Sequence, residues 1–520
     1  MNSHYIDLDD IQGNIVKAYG RFGYPVARYI FFQFHDMDAG RAFIRSLLPL
    51  ITTSRPWFAD TKLPAATTNI AFTYQGLKQL GLPIKSLHSF PEEFSMGMKA
   101  RGEILGDDNE SSPEHWDPVW RNDKRVNMFM SINGQNLAAL EARYQEVQDL
   151  LGLHTGKVEQ LRGHRGEQGD DMAYQEAAAV LIDGKITAKE HFGYTDGISD
   201  PYFKGSGSNP INLIGGGKPT RQDPATEEGW APLETGEFIL GYRDETQELP
   251  TAPVPRLLSY NGTFMVYRKL HENVGSFNQY IEQIGKDFPG GPEAVVAKMS
   301  GRWRNGAPTV LFPTQAEADA FIEELDKARE AAKVATTPVE KANALAHLNT
   351  LRKRLTGFNF NQDIGGGRCP MGSHIRRTNP RGCLEYGVAN AYSTPGALDN
   401  RRRLLRRGLP YGKVVDRTSD AGEHGIIFMA IGTSIERQFE FVQQQWINYG
   451  NDFKLANQRD PLLGNHDGHG DFMIEGSSPE NPPFFCARLP RFVTTRGGEY
   501  FFIPSLTAIR MIADNLIDPT

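Results

Sequence analysis

Three segments of this 520-residue sequence combine residue types that could do chemistry with the glycines and prolines that shape loops. In the first segment, residues 191–201, the acid Asp196 stands between Gly193 and Gly197. Glycines this dense around an acid favour a tight turn that aims the carboxylate outward. On local sequence alone, an ordinary turn closed by the aspartate side chain is the favoured interpretation.

The second segment, residues 363–381, holds a histidine behind a stretch rich in glycine and proline. His374 is followed within seven residues by three arginines, Arg376, Arg377 and Arg381. An imidazole with arginines nearby suits a metal ligand beside a dianionic cofactor, whose carboxylates the guanidinium groups could hold. The alternative is a cationic surface loop.

The third segment, residues 401–412, begins with five arginines in seven residues and ends in Gly-Leu-Pro-Tyr-Gly. This ending indicates a shaped turn that could place one guanidinium in a pocket. A solvated cationic face would explain the arginines equally well.

Other candidate chemistry is weaker. Residues 466–469 (His-Asp-Gly-His) could form a metal pair, although a glycine-rich loop that holds them by chance is the favoured interpretation. The three cysteines, Cys369, Cys383 and Cys486, are scattered and form no Cys-x-x-Cys pair. They are interpreted as free structural thiols.

Strand and helix patterns alternate in the first half of the chain. Periodicity predicts strands at residues 29–34, 67–75, 125–132 and 177–182, with helices after the first and third. This β-α-β-β-α-β order predicts a ferredoxin-like, split βαβ domain with an antiparallel sheet.

A second domain is predicted after a loop rich in glycine and proline at residues 204–235. The predicted domains are residues 1–235, which carry Asp196, and residues 236–520. The pattern also predicts two amphipathic helices over about residues 314–356, split at Pro338, as a solvated helical insertion. The predicted fold class is therefore α+β.

Composition and charge limit the kinds of molecule that this protein is expected to bind. The formal net charge is −7, which gives no electrostatic reason to expect nucleic acid or an anionic membrane. No stretch approaches the ~20 apolar residues of a membrane span. The first residues are acidic where a signal peptide would be basic, so a cytoplasmic location is expected.

Taken together, the three segments resemble the dye-decolorizing peroxidase family of haem enzymes. The family's Gly-x-x-Asp-Gly motif is matched by residues 193–197, its Cys-Pro…His-Ile-Arg-Arg segment by residues 369–381, and its Leu-Arg-Arg-Gly-x-Pro-Tyr-Gly segment by residues 405–412. Further matches lie near both ends, at residues 11–14 and 496–505. The length is similar to that of the larger bacterial and cyanobacterial branch.

The resemblance implies two ferredoxin-like domains and one haem b per chain, bound mainly by the C-terminal domain. His374 matches the proximal ligand of the iron, and Asp196 matches the distal acid that moves the peroxide proton. Arg406 matches the distal arginine that stabilises O–O cleavage. Arg376 and Arg381 are expected to pair with the haem propionates.

The implied activity is a peroxidase that uses H₂O₂ to oxidise dyes and phenolic or other aromatic compounds in one-electron steps, through an oxyferryl intermediate. The alternative is a protein that binds haem or handles its iron without significant peroxide turnover. A structural protein that has lost haem is a third interpretation, which the joint presence of Asp196, His374 and Arg406 disfavours. An oligomer is compatible with the sequence.

One position departs from the family pattern. Many members place an acid behind the proximal histidine, and the alignment puts Ser434 in that slot, with Glu436 two residues further on. If Ser434 is the partner of His374, the hydrogen bond is weaker and the iron potential is expected to be higher. The sequence alone leaves Ser434, Glu436 or neither as the partner.

Overall fold

The computed structural model describes residues 6–21, 23–57, 62–122, 125–207, 210–385, 396–476 and 481–518. Its largest element is a ten-stranded antiparallel sheet. The strands are β1 (Val26–Phe34), β2 (Ala66–Phe72), β3 (Met128–Gly134), β4 (Val158–Gln160), β5 (Gln175–Ala178), β6 (Thr263–Glu272), β7 (Leu405–Arg406), β8 (Leu409–Tyr411), β9 (Gly425–Gly432) and β10 (Val493–Ile503). Their order is β7-β9-β6-β10-β2-β3-β1-β4, with β8 beside β9 and β5 beside β1.

The two halves of the chain contribute the two halves of this sheet. Strands β1 to β5 lie on one side and β6 to β10 on the other, and they join where Phe502 of β10 pairs with Phe72 of β2. The antiparallel sheets and the α+β class predicted from the sequence are therefore confirmed. The domain boundary between residues 235 and 236 stays a prediction.

Aromatic side chains fill the core of the sheet. Tyr29, Phe31, Phe129, Tyr267 and Phe501 come from β1, β3, β6 and β10, and each is fully buried. Their rings contact one another at centroid distances between 5.3 and 6.2 Å. Such pairs contribute about 0.5–1.5 kcal/mol each beyond the burial of their area, so the core holds both halves of the sheet together.

The fourth predicted strand is shorter than expected. Strand β5 ends at Ala178, and Leu181–Ile182 instead pairs with Lys185–Ile186 as a separate hairpin. Asp183 and Gly184 between them both have positive φ angles, of 50° and 72°. Two consecutive residues in this region form the tight turn typical of two-residue hairpins, which ends the longer strand.

The numbered helices are the seven that have eight or more residues in the described part of the chain, together with the short α7. They are α1 (Met37–Leu47), α2 (Leu137–Gly152), α3 (Val274–Ile284), α4 (Gly291–Ser300), α5 (Gln315–Val334), α6 (Pro338–Thr356), α7 (His374–Thr378) and α8 (Leu506–Ala513). Shorter helices are Gly13–Val16, Tyr74–Gln79, Ile84–Leu87, Glu92–Met96, Gly102–Leu105, Pro118–Arg121, Pro210–Gly216 and Arg256–Ser259. No helix in the described part of the chain is long and apolar enough to cross a membrane.

The two helices of the predicted insertion are confirmed. Each begins with a capping box, in which a threonine and a glutamate three residues later satisfy each other's backbone groups: Thr314 with Glu317 and Thr337 with Glu340. Pro338 occupies the first turn of α6, where a missing N–H costs nothing. The hairpin buries Leu325, Leu348 and other apolar side chains against the body of the protein.

The helical segment at residues 434–450 is wound more loosely than an α-helix. It consists of two π-helical stretches, Ile435–Glu440 and Val442–Ile447. Ser434 caps the first stretch by accepting a hydrogen bond from the backbone N of Arg437. Wide turns of this kind are rare in helices and are frequently found at functional sites.

Candidate functional site

A cavity of about 350 Å³ lies between the 188–201 loop, strands β6 and β9, helix α7 and the π-helical segment. Its volume is within the range of small-molecule sites. Apolar side chains from the strands and the π-helical segment form much of its wall, namely Leu270, Ile426, Phe428 and Phe439. His374, Asp196 and Arg406, from three distant parts of the sequence, all line this one cavity.

His374 is held by a buried carboxylate. It is the first residue of α7, and its Nδ1 lies 2.9 Å from Oδ2 of Asp460. The histidine side chain is 26% exposed, whereas the Asp460 side chain is fully buried. With Nδ1 engaged, Nε2 is the nitrogen available to a metal ion, and the carboxylate makes the imidazole a stronger ligand.

Asp460 stays ionised despite its burial. Burial alone would raise its pKa, but the charge and hydrogen bond of His374, the charge of Arg377 and backbone donors outweigh this and lower the pKa. The backbone N atoms of Leu462 and Leu463 donate to Oδ1 at 2.8 and 2.9 Å. Two hydrogen bonds to one oxygen leave the other oxygen aimed at His374.

Neither residue that the sequence suggested as the histidine's partner fills that role. Ser434 is occupied in capping the π-helical segment, and the backbone N of Glu436 lies 3.4 Å from a carboxylate oxygen of Glu93. Asp460 lies 86 residues from His374 and outside the three motif segments. The contact depends on tertiary folding, so no local signal could have identified it.

Residues 466–469 do not form a metal pair in the structure. His466 is buried and its Nε2 contacts the backbone oxygen of Asp460 at 2.8 Å, whereas His469 is exposed. The buried His466 imidazole therefore stabilises the backbone of the loop that carries Asp460.

Asp196 and Arg406 form an ion pair within the cavity. Nη1 of Arg406 donates to Oδ1 of Asp196 at 2.6 Å, and Nη2 donates to the backbone oxygen of Ile198 at 3.2 Å. The side chains are 28% and 30% exposed, so both remain accessible from the cavity. Arg406 is held in turn by its own backbone N, which donates to Asp200.

The loop that carries Asp196 is tightly hydrogen-bonded. The backbone N of Asp196 donates to Ala188 at 2.8 Å, and Gly193 and Gly197 have φ angles of 97° and 81°. The positive angles explain why glycine flanks the acid at these two positions. The loop geometry predicted from residues 191–201 is therefore present.

Of the two arginines expected to hold propionates, the structure places one at the cavity. Arg381 lines it, and its guanidinium also donates to Ser199 and to the backbone oxygens of Thr356 and Phe358. Arg376 is not among the lining residues. Its guanidinium is fully buried and donates to Asp363 and to the backbone oxygen of Cys369, so it is not placed to bind a ligand carboxylate.

The lining residues fit a haem group. A haem requires a broad apolar surface, an axial ligand and partners for two carboxylates. The cavity supplies apolar walls, the imidazole of His374, and guanidinium groups of Arg302, Arg381, Arg402 and Arg403. Burial lowers the pKa of Arg403 to about 10, so it stays charged at neutral pH and would gain from an anionic partner.

Fold and site together define a haem peroxidase, and comparison with known proteins agrees. A model described as the DyP dimeric alpha+beta barrel domain matches residues 10–165. A dye-decolorizing peroxidase from Mycena epipterygia is 28% identical over 98% of this chain and 87% of its own. A multifunctional dye peroxidase from an Amycolatopsis strain is 26% identical over 97% of this chain and 96% of its own.

A solved structure of an ancestral D-type dye-decolorizing peroxidase superposes with a TM-score of 0.70 at 27% identity, covering 97% of this chain and 98% of that one. The chain is therefore similar over nearly its whole length to dye-decolorizing peroxidases. It is an enzyme of this peroxidase type, and its cofactor is a haem.

Proposed function

We propose that this enzyme binds one haem b per chain through His374 and uses H₂O₂ to oxidise dyes, phenols and other aromatic compounds by one-electron steps. The observation that carries the proposal is the meeting, in one cavity, of the His374–Asp460 pair with the Asp196–Arg406 pair. The names of the relatives, which are dye-decolorizing peroxidases, support the substrate class.

The haem, when bound, supplies the two electrons that reduce peroxide. Asp196 acts as general base and then as general acid: its carboxylate takes the proton from one peroxide oxygen and returns it to the other, which leaves as water when the O–O bond breaks. Arg406 binds only one of the two carboxylate oxygens of Asp196, namely Oδ1. Oδ2 is therefore the atom we assign to proton transfer.

Arg406 stabilises the negative charge that develops on the departing oxygen. A guanidinium is always charged and is fixed here by the backbone oxygen of Ile198 and by Asp196. A fixed donor costs no reorganisation when the charge appears. Arg406 therefore has two roles, to orient Asp196 and to stabilise the leaving oxygen.

His374 and Asp460 set the electron donation to the iron. The buried Asp460 carboxylate accepts a hydrogen bond from Nδ1 of His374. This hydrogen bond makes the imidazole a stronger electron donor to the iron. Arg381 would hold a haem propionate, and we do not extend that role to Arg376. The cytoplasmic location, the oligomeric state and the placement in the larger bacterial and cyanobacterial branch stay predictions.

The test is an absorption spectrum of the purified protein before and after one equivalent of H₂O₂, with the variants Asp196→Asn and His374→Ala. We expect a ferric haem band that changes promptly on peroxide addition, and its absence in His374→Ala. Asp196→Asn should bind haem but react with peroxide about 10²–10⁴-fold more slowly. A wild-type rate in Asp196→Asn would exclude Asp196, and a haem band that only bleaches slowly would favour haem handling.

A further inference from the structure

Two further carboxyl side chains line the cavity beside Asp196. Glu190 lies on the same loop, and Glu272 is the last residue of β6. The two side chains hydrogen-bond to each other. Among the described residues neither is in an ion pair with a lysine or arginine, so one proton must be shared between them for the contact to be attractive.

The backbone identifies Glu190 as the ionised partner. Its two carboxylate oxygens accept hydrogen bonds from the backbone N of Phe192 at 2.7 Å and of Tyr194 at 2.6 Å. An oxygen that accepts a backbone N–H is favoured in the ionised form. Glu272 therefore carries the proton and donates it to Glu190.

The pair connects the loop to the sheet. Glu190 closes the turn of residues 190–194 through the contacts above, and its backbone N donates to the Tyr194 oxygen. Glu272 also accepts a hydrogen bond from the backbone N of His191 at 3.3 Å, and its own backbone N donates to His424 of the neighbouring strand region. Asp196 follows two residues after this turn.

We propose that Glu272 is a positioning residue for the peroxide reaction: in its protonated form it fastens the Asp196 loop to the end of β6 by donating to Glu190, and loss of the proton releases the loop. This inference rests on the proposed role of Asp196. Ionisation of both carboxyl groups would place two like charges in contact, which is unfavourable in a buried site.

The surroundings support a protonated Glu272. Burial first, and then the charge of Glu190, raise the pKa of Glu272 well above its usual range. Lys189, His191, Tyr194 and Asp196 face the pair from its own loop.

No lysine or arginine from the described neighbouring elements is in an ion pair with either carboxyl group. The groups that face the pair from these elements are Tyr411 of β8, His424 next to β9, Arg417, which donates to the backbone oxygen of His191, and the ion pair of Arg304 with Glu293, which faces Tyr194. Burial lowers the pKa of His191 to about 4 and lowers that of His424, so both are neutral near pH 7.

The first test is the pH profile of the second-order rate with H₂O₂ in the wild type, Glu272→Gln and Glu272→Ala holoenzymes. The amide of Glu272→Gln can donate to Glu190 without a titrating proton. We expect the wild-type rate to fall by up to about tenfold per pH unit above the pKa of the pair. The Glu272→Gln rate should not share this fall, whereas Glu272→Ala should be slower at every pH.

The second test reads the proton directly and does not require haem turnover. Infrared difference spectra of the wild type against Glu272→Gln should show loss of one protonated carboxylic acid band at neutral pH. Glu282→Gln, which changes an exposed carboxylate of α3 outside the pair, should keep that band and the wild-type profile. An unchanged band and an unchanged pH profile in Glu272→Gln would overturn the proposal. If Asp196→Asn reacts at the wild-type rate, the proposed role of Asp196 fails independently of the infrared result.

Discussion

The charge on the proximal side of the cavity depends on one fully buried residue, Asp460. A buried carboxylate is stable only when it is paired and hydrogen-bonded. Asp460 meets this condition through His374, two backbone N–H groups and the charge of Arg377. The same contacts that keep it ionised also fix the tautomer and direction of His374.

Replacing Asp460 with asparagine should change the midpoint potential and the reactivity of the haem more than it changes haem binding. Asp460→Asn keeps a hydrogen-bonding side chain but removes the negative charge, so we expect the midpoint potential of the haem iron to rise. The rate with peroxide should fall about 10–100-fold, as is typical when a residue that hydrogen-bonds to a metal ligand is replaced. Spectroelectrochemistry and stopped-flow absorbance measure the two effects.

Ser434→Ala is the matched control for this variant. Ser434 stands where the sequence suggested the partner of His374, but it caps the π-helical segment instead. The potential should therefore be the same as in the wild type. A shifted potential in Ser434→Ala with an unshifted one in Asp460→Asn would reverse the assignment.

Single residues were predictable from the sequence where a motif holds them. His374, Asp196 and Arg406 lie in segments whose order and spacing are informative, and all three line one cavity. Asp460 and Glu272 were not predictable, because their partners lie 86 and 82 residues away. The contacts of Arg376 with Asp363 and Cys369, away from the cavity, were not predictable either, because a motif gives the residue type but not the direction of the side chain.

At the scale of elements, the helical insertion is more than a solvated hairpin. The last carbonyl groups of α6 accept hydrogen bonds from two arginines that line the cavity: Arg302 donates to Leu355 at 2.9 Å and Arg381 to Thr356 at 2.5 Å. The carboxyl end of a helix attracts cations because of its dipole. The hairpin therefore helps to position guanidinium groups that face the haem site.

Weakening the start of α6 should cost stability without moving these arginines. Thr337→Ala removes the capping box at the far end of the helix from Leu355. We expect a loss of about 1 kcal/mol in the stability of this helix, with the haem spectrum unchanged. Hydrogen exchange of the hairpin amides measures the first effect, and exchange equal to that of the wild type would contradict it.

Periodicity was sufficient to predict α5 and α6, because each has an apolar stripe, a capping residue and, at Pro338, a clear break. It was not sufficient at residues 434–450. The apolar positions there indicate a helix but not where its turns widen, and the wider winding accompanies the packing of Phe439 and Val442 against the cavity. The winding is therefore a tertiary effect.

At the scale of the whole molecule, buried carboxyl groups make the free energy of unfolding depend on pH. Burial raises the pKa of Glu475 to about 7, although backbone donors, including the N of Met371 at 3.1 Å, and the charge of Arg376 oppose the shift. Burial likewise raises the pKa of Asp399 to about 7. In the unfolded chain both groups return to the ordinary values of 4.5 and 3.8.

The sign of the resulting pH dependence follows from proton binding. Between about pH 4.5 and 7 the folded protein holds the Glu475 proton and the unfolded chain does not, so the contribution to stability is greatest below this window and is lost as the pH rises through it. Glu475→Gln removes this titration and keeps an acceptor for the backbone N of Met371.

The loss of unfolding free energy from pH 4.5 to pH 8 should therefore be smaller in Glu475→Gln than in the wild type, by up to about 3 kcal/mol. Urea denaturation of the holoenzyme at the two pH values measures it, with the exposed Glu323→Gln as control. Equal losses in wild type and Glu475→Gln would show that Glu475 is ionised in the folded protein at neutral pH.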